Sequence, residues 1–182
     1  MPERKGKREE PFPMTVLDGT YNIIRANRAT SIIFGQFLDE PHRLAKMTNL
    51  FDFVFDPSLG RGAVKNWSEV GHYMISRLHR EALGRPDNTQ LRPLLERALS
   101  YPGVPEAWRQ PDFSMPSTAS LVIELRRGDL SLKFFTTTTA FSAPLQAGLE
   151  ELRIESYFPR DEITETHCKR LWELSLKDGR PN

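Results

Sequence analysis

Residues 121–136 read LVIELRRGDLSLKFFT, and their reading as a β-hairpin organises the rest of the chain. Gly128-Asp129 is a two-residue turn signal, because tight hairpin turns need residues that tolerate positive φ. Pairing outward from it sets Leu125 opposite Leu132, Ile123 opposite Phe134 and Leu121 opposite Thr136. The other face opposes Glu124 to Lys133, a favourable cross-strand charge pair. A one-residue slip would scatter the apolar set over both faces, so turn and pattern specify one register. The run Thr136 to Thr139 continues the second strand, and alternation sends Thr136 and Thr138 to the core side. Threonine is a good strand former. Hydroxyls beside Phe134 also suit the polar end of a ligand.

An earlier hairpin is expected at residues 14–26, MTVLDGTYNIIRA. With Asp18-Gly19 as a type I′ turn, Leu17 faces Thr20, Val16 faces Tyr21, Thr15 faces Asn22 and Met14 faces Ile23. Met14, Val16, Tyr21 and Ile23 then share the apolar face. A fifth strand is expected at 152–158, where Leu152, Ile154, Ser156 and Phe158 alternate with Arg153, Glu155 and Tyr157 before Pro159 ends it. Between the strand pairs the spacing is helical. Asn27 caps a helix to Phe37 with Ile32, Ile33 and Phe37 inward. Asn66 with Glu69 forms a reciprocal cap on a helix to about Leu83, whose stripe is Trp67, Val70, Met74 and Leu78. Asp87 with Gln90 opens another, where Pro93 is awkward two turns in, and Tyr101-Pro102-Gly103 stops it. A last helix is expected at 161–176, bearing Ile163, Cys168, Leu171, Trp172 and Leu174. Two strands, several helices, then three antiparallel strands is an α+β plan: a five-stranded antiparallel sheet with a helical layer inserted between strands 2 and 3. The helices must cover one sheet face.

The chain has 182 residues, of which 38% are apolar and 27% charged, enough for one domain with a sizeable core. Lys and Arg total 25 against 24 Asp and Glu, a formal charge of +1 that argues against a dedicated nucleic-acid binder. The single cysteine, Cys168, excludes an internal disulfide and any multi-cysteine metal cage and is expected as a surface thiol. The opening MPERKGKREE shows no signal peptide and no apolar run is long enough to span a bilayer, so a soluble cytoplasmic protein is expected. Residues 1–11 read as a disordered tail or linker stub, 12–160 as the domain, and 161–182 as a C-terminal helix and tail.

Enzyme motifs are absent: no G-x-S-x-G, phosphate loop, H-E-x-x-H or dinucleotide fingerprint occurs. His72 and His79 stand about 10.5 Å apart along a helix, too far for one metal, and read as partly exposed helix histidines. A haem would need His42, His72 or His79 as axial ligand, and a flavin photosensor a cysteine in the helical region. The only cysteine, Cys168, lies beyond the last strand, and a colourless protein would dispose of both; no cofactor and no metal are expected.

At 17–35, LDGTYNIIRANRATSIIFG, the chain resembles the opening of a PAS domain, in Asp18-Gly19, Ile23-Ile24, Asn27 and Gly35. NLFDFVFDPSLGRGAVKNW (49–67), LHREALGRPD (78–87), ALSYPGVPEAWR (98–109) and LEELRIESYFPRDEIT (149–164) narrow it. Over about residues 12–165 the chain resembles the ligand-binding domain of MmyB-like transcription regulators. That resemblance implies a PAS-like fold, a small apolar ligand such as a fatty acid, and a role in bacterial transcription regulation. In that family the domain follows an Xre-type helix-turn-helix domain. About a dozen residues precede it here, too few for one, so DNA binding is expected only through a domain missing from these residues.

The strand and helix faces place a ligand pocket between Ile123, Leu132, Phe134, Thr136 and Ile154 of the sheet and Phe53, Trp67, Val70, Met74 and Leu78 of the helical layer. The alternative is a PAS-like interaction or dimerisation module whose core is filled by its own side chains. The last helix either packs on its own chain or pairs two copies as a homodimer.

Overall fold

In the computed structural model, strands β3 (Ser120–Arg127) and β4 (Leu130–Phe141) pair with Leu125↔Leu132, Ile123↔Phe134, Leu121↔Thr136 and Glu124↔Lys133. This is the register expected from the turn, and Gly128 takes φ +56° there. The structure describes residues 11–114, 120–141 and 151–177. The expected tail at 1–11 lies outside them except for its last residue.

The other strands are β1 (Met14–Leu17), β2 (Ile23–Ala26) and β5 (Leu152–Pro159). The sheet order is β2-β1-β5-β4-β3, and every neighbouring pair is antiparallel. The fold is α+β, as expected. The last strand in sequence is central.

Two expectations about the sheet are overturned. In the first hairpin Thr15 pairs with Ala26, Val16 with Arg25 and Leu17 with Ile23, with a bulge between Val16 and Leu17. No two-residue turn forms. Instead the Asp18 carboxylate accepts hydrogen bonds from the backbone N–H of Thr20 and Asn22 and from both their side chains. The loop therefore wraps this side chain and lengthens, with Tyr21 rather than Gly19 at positive φ (65°). The inward residues of β1 become Thr15 and Leu17, both nearly fully buried, while Met14 is exposed. On β5 the inward set is Arg153, Glu155 and Tyr157. Ile154 pairs with Val16 and Thr139 on the opposite face.

Helices α1 (Arg28–Phe34), α2 (Leu50–Phe55), α3 (Trp67–Gly84) and α4 (Leu91–Ser100) lie in the stretch between β2 and β3. Asn27 caps α1 by accepting from Thr30 N–H, and the helix tightens into a 3-10 turn at Gly35–Phe37. Ile33 and Phe37 are buried, and Ile32 only half so. Asn66 starts α3 but does not cap it with its side chain. Its amide reaches Glu69 and the Val122 carbonyl, and its carbonyl accepts from Glu124 N–H, riveting the helix start to β3. Helix α4 begins at Leu91, so Pro93 falls in the first turn, where its missing N–H is harmless. Phe34 meets Phe134 and Tyr157 edge-on, closing the helical layer onto the sheet.

Helix α5 (Glu162–Lys177) starts at Asp161, whose carboxylate accepts from Thr164 N–H. It packs on its own chain: Cys168 is buried, Leu171 and Trp172 pack against the core, and Arg28 donates to the Ser175 carbonyl. Ile163 and Leu174 remain exposed.

Candidate functional site

The first strand pair and the start of α2 are tied together at one edge of the space beneath the sheet. The lengthened 18–22 loop is stitched to α2: Ile23 N–H donates to Thr48, Leu50 N–H donates to Tyr21, and Asn49 bridges Thr20 and Asn22. Asn49 also caps α2. Beside this stitched edge lies a cavity of about 260 Å³. Its wall is mostly apolar: Ile23, Phe34, Leu44, Met47, Leu50, Phe53, Val54, Val70, Met74, Leu121 and Ile123. Ile24 and Arg25 are exposed lining residues and mark where it reaches the surface. Gly60 is needed beside it, since a Cβ there would sit 2.5 Å from the Phe53 ring.

The sheet side of the cavity is polar, with Thr15, Thr136, Glu155 and Tyr157 all lining it. The Thr15 hydroxyl is buried without a hydrogen-bond partner among the described residues, although the Tyr157 hydroxyl stands close to it. Burial pushes the Glu155 carboxyl up to about 7, against the pull of Arg77 and Arg153. Burial, and then the Glu155 charge, hold the Tyr157 hydroxyl protonated. A second space of about 30 Å³ adjoins, sharing Leu50, Met74, Leu121, Thr136 and Glu155 and reaching Arg77 and Thr138.

Behind it lies a buried ion cluster. Arg153, 1% exposed, forks onto both Glu81 oxygens at 2.9 and 3.1 Å and reaches Glu151 at 3.2 Å. Arg77 donates to Glu81 at 3.0 Å, and the Tyr21 hydroxyl donates to the same oxygen at 2.9 Å. Burial works against the Arg153 charge, but Tyr21, Glu81 and Glu151 raise its pKa overall. These ions anchor the inward face of β5. They explain why a strand with apolar residues on its other face turns charged residues inward.

Of the residues placed by periodicity, Phe53, Val70, Met74, Ile123 and Thr136 line the cavity. Leu78, Leu132 and Phe134 are fully buried core but do not line it. Trp67 donates to the Val54 carbonyl and packs on Trp108 and Phe55, behind the wall. Ile154 faces away. The sequence reading missed Thr15, Glu155 and Tyr157 through the two misplaced strand faces. The charged residues Arg153 and Glu155 carry no local signal that could tell inside from outside.

Two other expectations change. Cys168 is fully buried, and burial pushes its thiol up to about 12, so it is not a surface thiol. His79 is buried and bonds the Trp108 carbonyl, while His72 stacks on the Trp108 ring beside Asp112. Among the described residues no three of His, Cys, Asp and Glu gather as a metal site. No described helix is long and apolar enough to cross a membrane.

What the arrangement can do is enclose an apolar chain and meet a polar head. A search of curated proteins finds no match. A family model, that of the MmyB-like transcription regulator ligand binding domain, matches residues 7–171. That span takes in every strand and helix of the sheet and its cover but the last turns of α5, and the chain belongs to this family.

Proposed function

We propose that this domain is the ligand-sensing part of a bacterial transcription regulator and that it holds a fatty-acid-like molecule in the cavity under the sheet, without catalysing a reaction. The observation that carries this reading is the cavity of about 260 Å³ with its apolar wall and polar inner end. The occupant in view has a tail of roughly nine carbons, as decanoic acid has, whose far end can reach the mouth at Ile24 and Arg25. Burying that many methylenes gains roughly 7 kcal/mol gross, and lost ligand freedom offsets several kcal/mol of it. Micromolar affinity needs about 8 kcal/mol net, so head-group contacts must contribute. DNA contact is assigned to a helix-turn-helix domain outside these residues, the cytoplasm is the compartment, and a second copy of the chain is a further partner. Native mass spectrometry after mild extraction tests the reading: a co-purifying lipid-sized adduct supports it. A clean apo mass that stays clean on adding decanoic acid would instead favour a pure interaction module.

A further inference from the structure

The central strand of the sheet puts a carboxylate at the inner end of an apolar cavity. Glu155 is half-buried and lies on the inward face of β5, with Thr15 of β1 opposite it on one side and Thr138 of β4 on the other. It lines both the main cavity and its small annex. On its own strand Arg153 and Tyr157 flank it, and from α3 Arg77 faces the same annex. Both guanidinium groups are already bound to Glu81, which also accepts from Tyr21. From α2 the neighbours in the annex are apolar Leu50 and Phe51, and the phenols of Tyr21 and, from α3, Tyr73 belong to its lining residues. A carboxylate ligand that reaches this end therefore meets a second carboxylate in a region shielded from water. Two like charges in contact there cannot both persist, so one proton must be held between them.

We propose, resting on the ligand-binding reading above, that Glu155 meets the head of a carboxylate-headed chain and that the two share one proton taken up on binding. The single negative charge left on the pair is balanced by Arg77 and Arg153. The proton belongs to the pair, not to either group. Before binding, the Glu155 carboxyl titrates near 7, so at neutral pH the site is poised to take up that proton. An alcohol head donates a hydrogen bond to ionised Glu155 and needs no extra proton. If the chain instead lies with its head at the mouth, beside Arg25, Glu155 is not involved and no proton moves.

The test uses decanoic acid and 1-decanol as probes between pH 6 and 8.5, with wild type and Glu155→Gln. For decanoate the dissociation constant of the wild type is expected to rise above about pH 7, approaching tenfold per pH unit for one proton. For decanol it stays flat or improves. In E155Q the decanoate slope disappears. Calorimetry on the wild type at pH 8 in two buffers of different ionisation enthalpy checks the same claim without a variant, with uptake near one proton for decanoate and near zero for decanol. Binding of decanoate with no slope and no proton uptake overturns the proposal, as does a slope that survives in E155Q. If neither probe binds at any pH, the ligand-binding reading itself fails and this proposal falls with it.

Discussion

Replacing Arg153 by Met removes the centre of the buried ion cluster while keeping an unbranched chain of similar length. Arg153 is 1% exposed and Glu81 16%, so three charge-assisted hydrogen bonds vanish from a largely dry site. Stripping one partner from a buried pair costs about 3–5 kcal/mol. Here Glu81 keeps Arg77 and the Tyr21 hydroxyl, and Glu151 keeps Arg85, so no carboxylate is orphaned and the lower end, about 3 kcal/mol, applies. At roughly 2–4 °C per kcal/mol for a chain of this size, the melting temperature should drop by about 6–12 °C. Thermal and urea unfolding followed by circular dichroism reads this directly, with an unchanged urea m-value marking an intact fold. Arg153→Lys should fall between, since one ammonium cannot reproduce the fork. A Met variant within about 2 °C of wild type would refute the view that these ions anchor the inward face of β5.

Four further outcomes are expected. Met74 lines both cavities, so Met74→Trp should fill the space and weaken decanoate binding at least tenfold with little change in melting temperature; unchanged affinity rules out this cavity as the site. Gly60→Ala should drive the Phe53 ring towards the cavity and lower affinity, and an unaltered dissociation constant would show that the ring moves elsewhere. Cys168 should resist thiol reagents in the native protein and react on unfolding, whereas full labelling within minutes at pH 8 contradicts its burial. Glu155 binds its proton more tightly folded than unfolded, being pushed up to about 7 from the ordinary 4.5. Its contribution is complete below pH 4.5 and is lost as pH rises through 7, at no more than about 1.4 kcal/mol per pH unit. His167, whose pKa is lowered by burial and then Arg170, acts in the opposite sense at the acid end. The comparison is therefore wild type against E155Q between pH 5 and 7.5, and parallel stability curves would dismiss the shift.

The parts legible in the sequence are those where one local rule decides. The β3–β4 register follows from Gly128-Asp129 and alternation, because turn and hydropathy agree. Asn27 signals the α1 start because capping is a contact within one turn. One failure sits where a side chain inside the turn takes its donors, and the others where a distant partner overrides the local rule. Asp18 gathers the donors of Thr20 and Asn22 and so forbids the tight turn that Asp18-Gly19 suggests. Asn66 looks like a helix cap, but its amide is taken by Val122 and Glu124, more than fifty positions away. Leu152, Ile154 and Phe158 look like a buried face, yet Glu81 on α3 draws Arg153 inward and turns them out. That inversion hid Glu155 and Tyr157, as the misplaced first hairpin hid Thr15, and of the polar side only Thr136 was within reach. The apolar half was within reach because Val70 and Met74 share a helical stripe.

Placing the last strand at the middle of the sheet also sets the order in which the molecule can be built. Residues 14–17 must find 153–156 before β1 and β4 are joined through β5, and the length-dependent part of closing so large a loop is about 4 kcal/mol. Until then β1–β2 is a two-stranded ribbon, marginal alone, while β5 can already lie on β4, its neighbour in sequence. Helices α3 and α4 pack on each other across a short stretch of chain, and that pair is free to form while the chain is still emerging. Contacts spanning most of the chain fold slowly, so docking of β1 onto β5 is the late step. Thr15 joins the floor of Glu155 and Tyr157 only then, and a ligand can brace only a chain whose synthesis has passed β5.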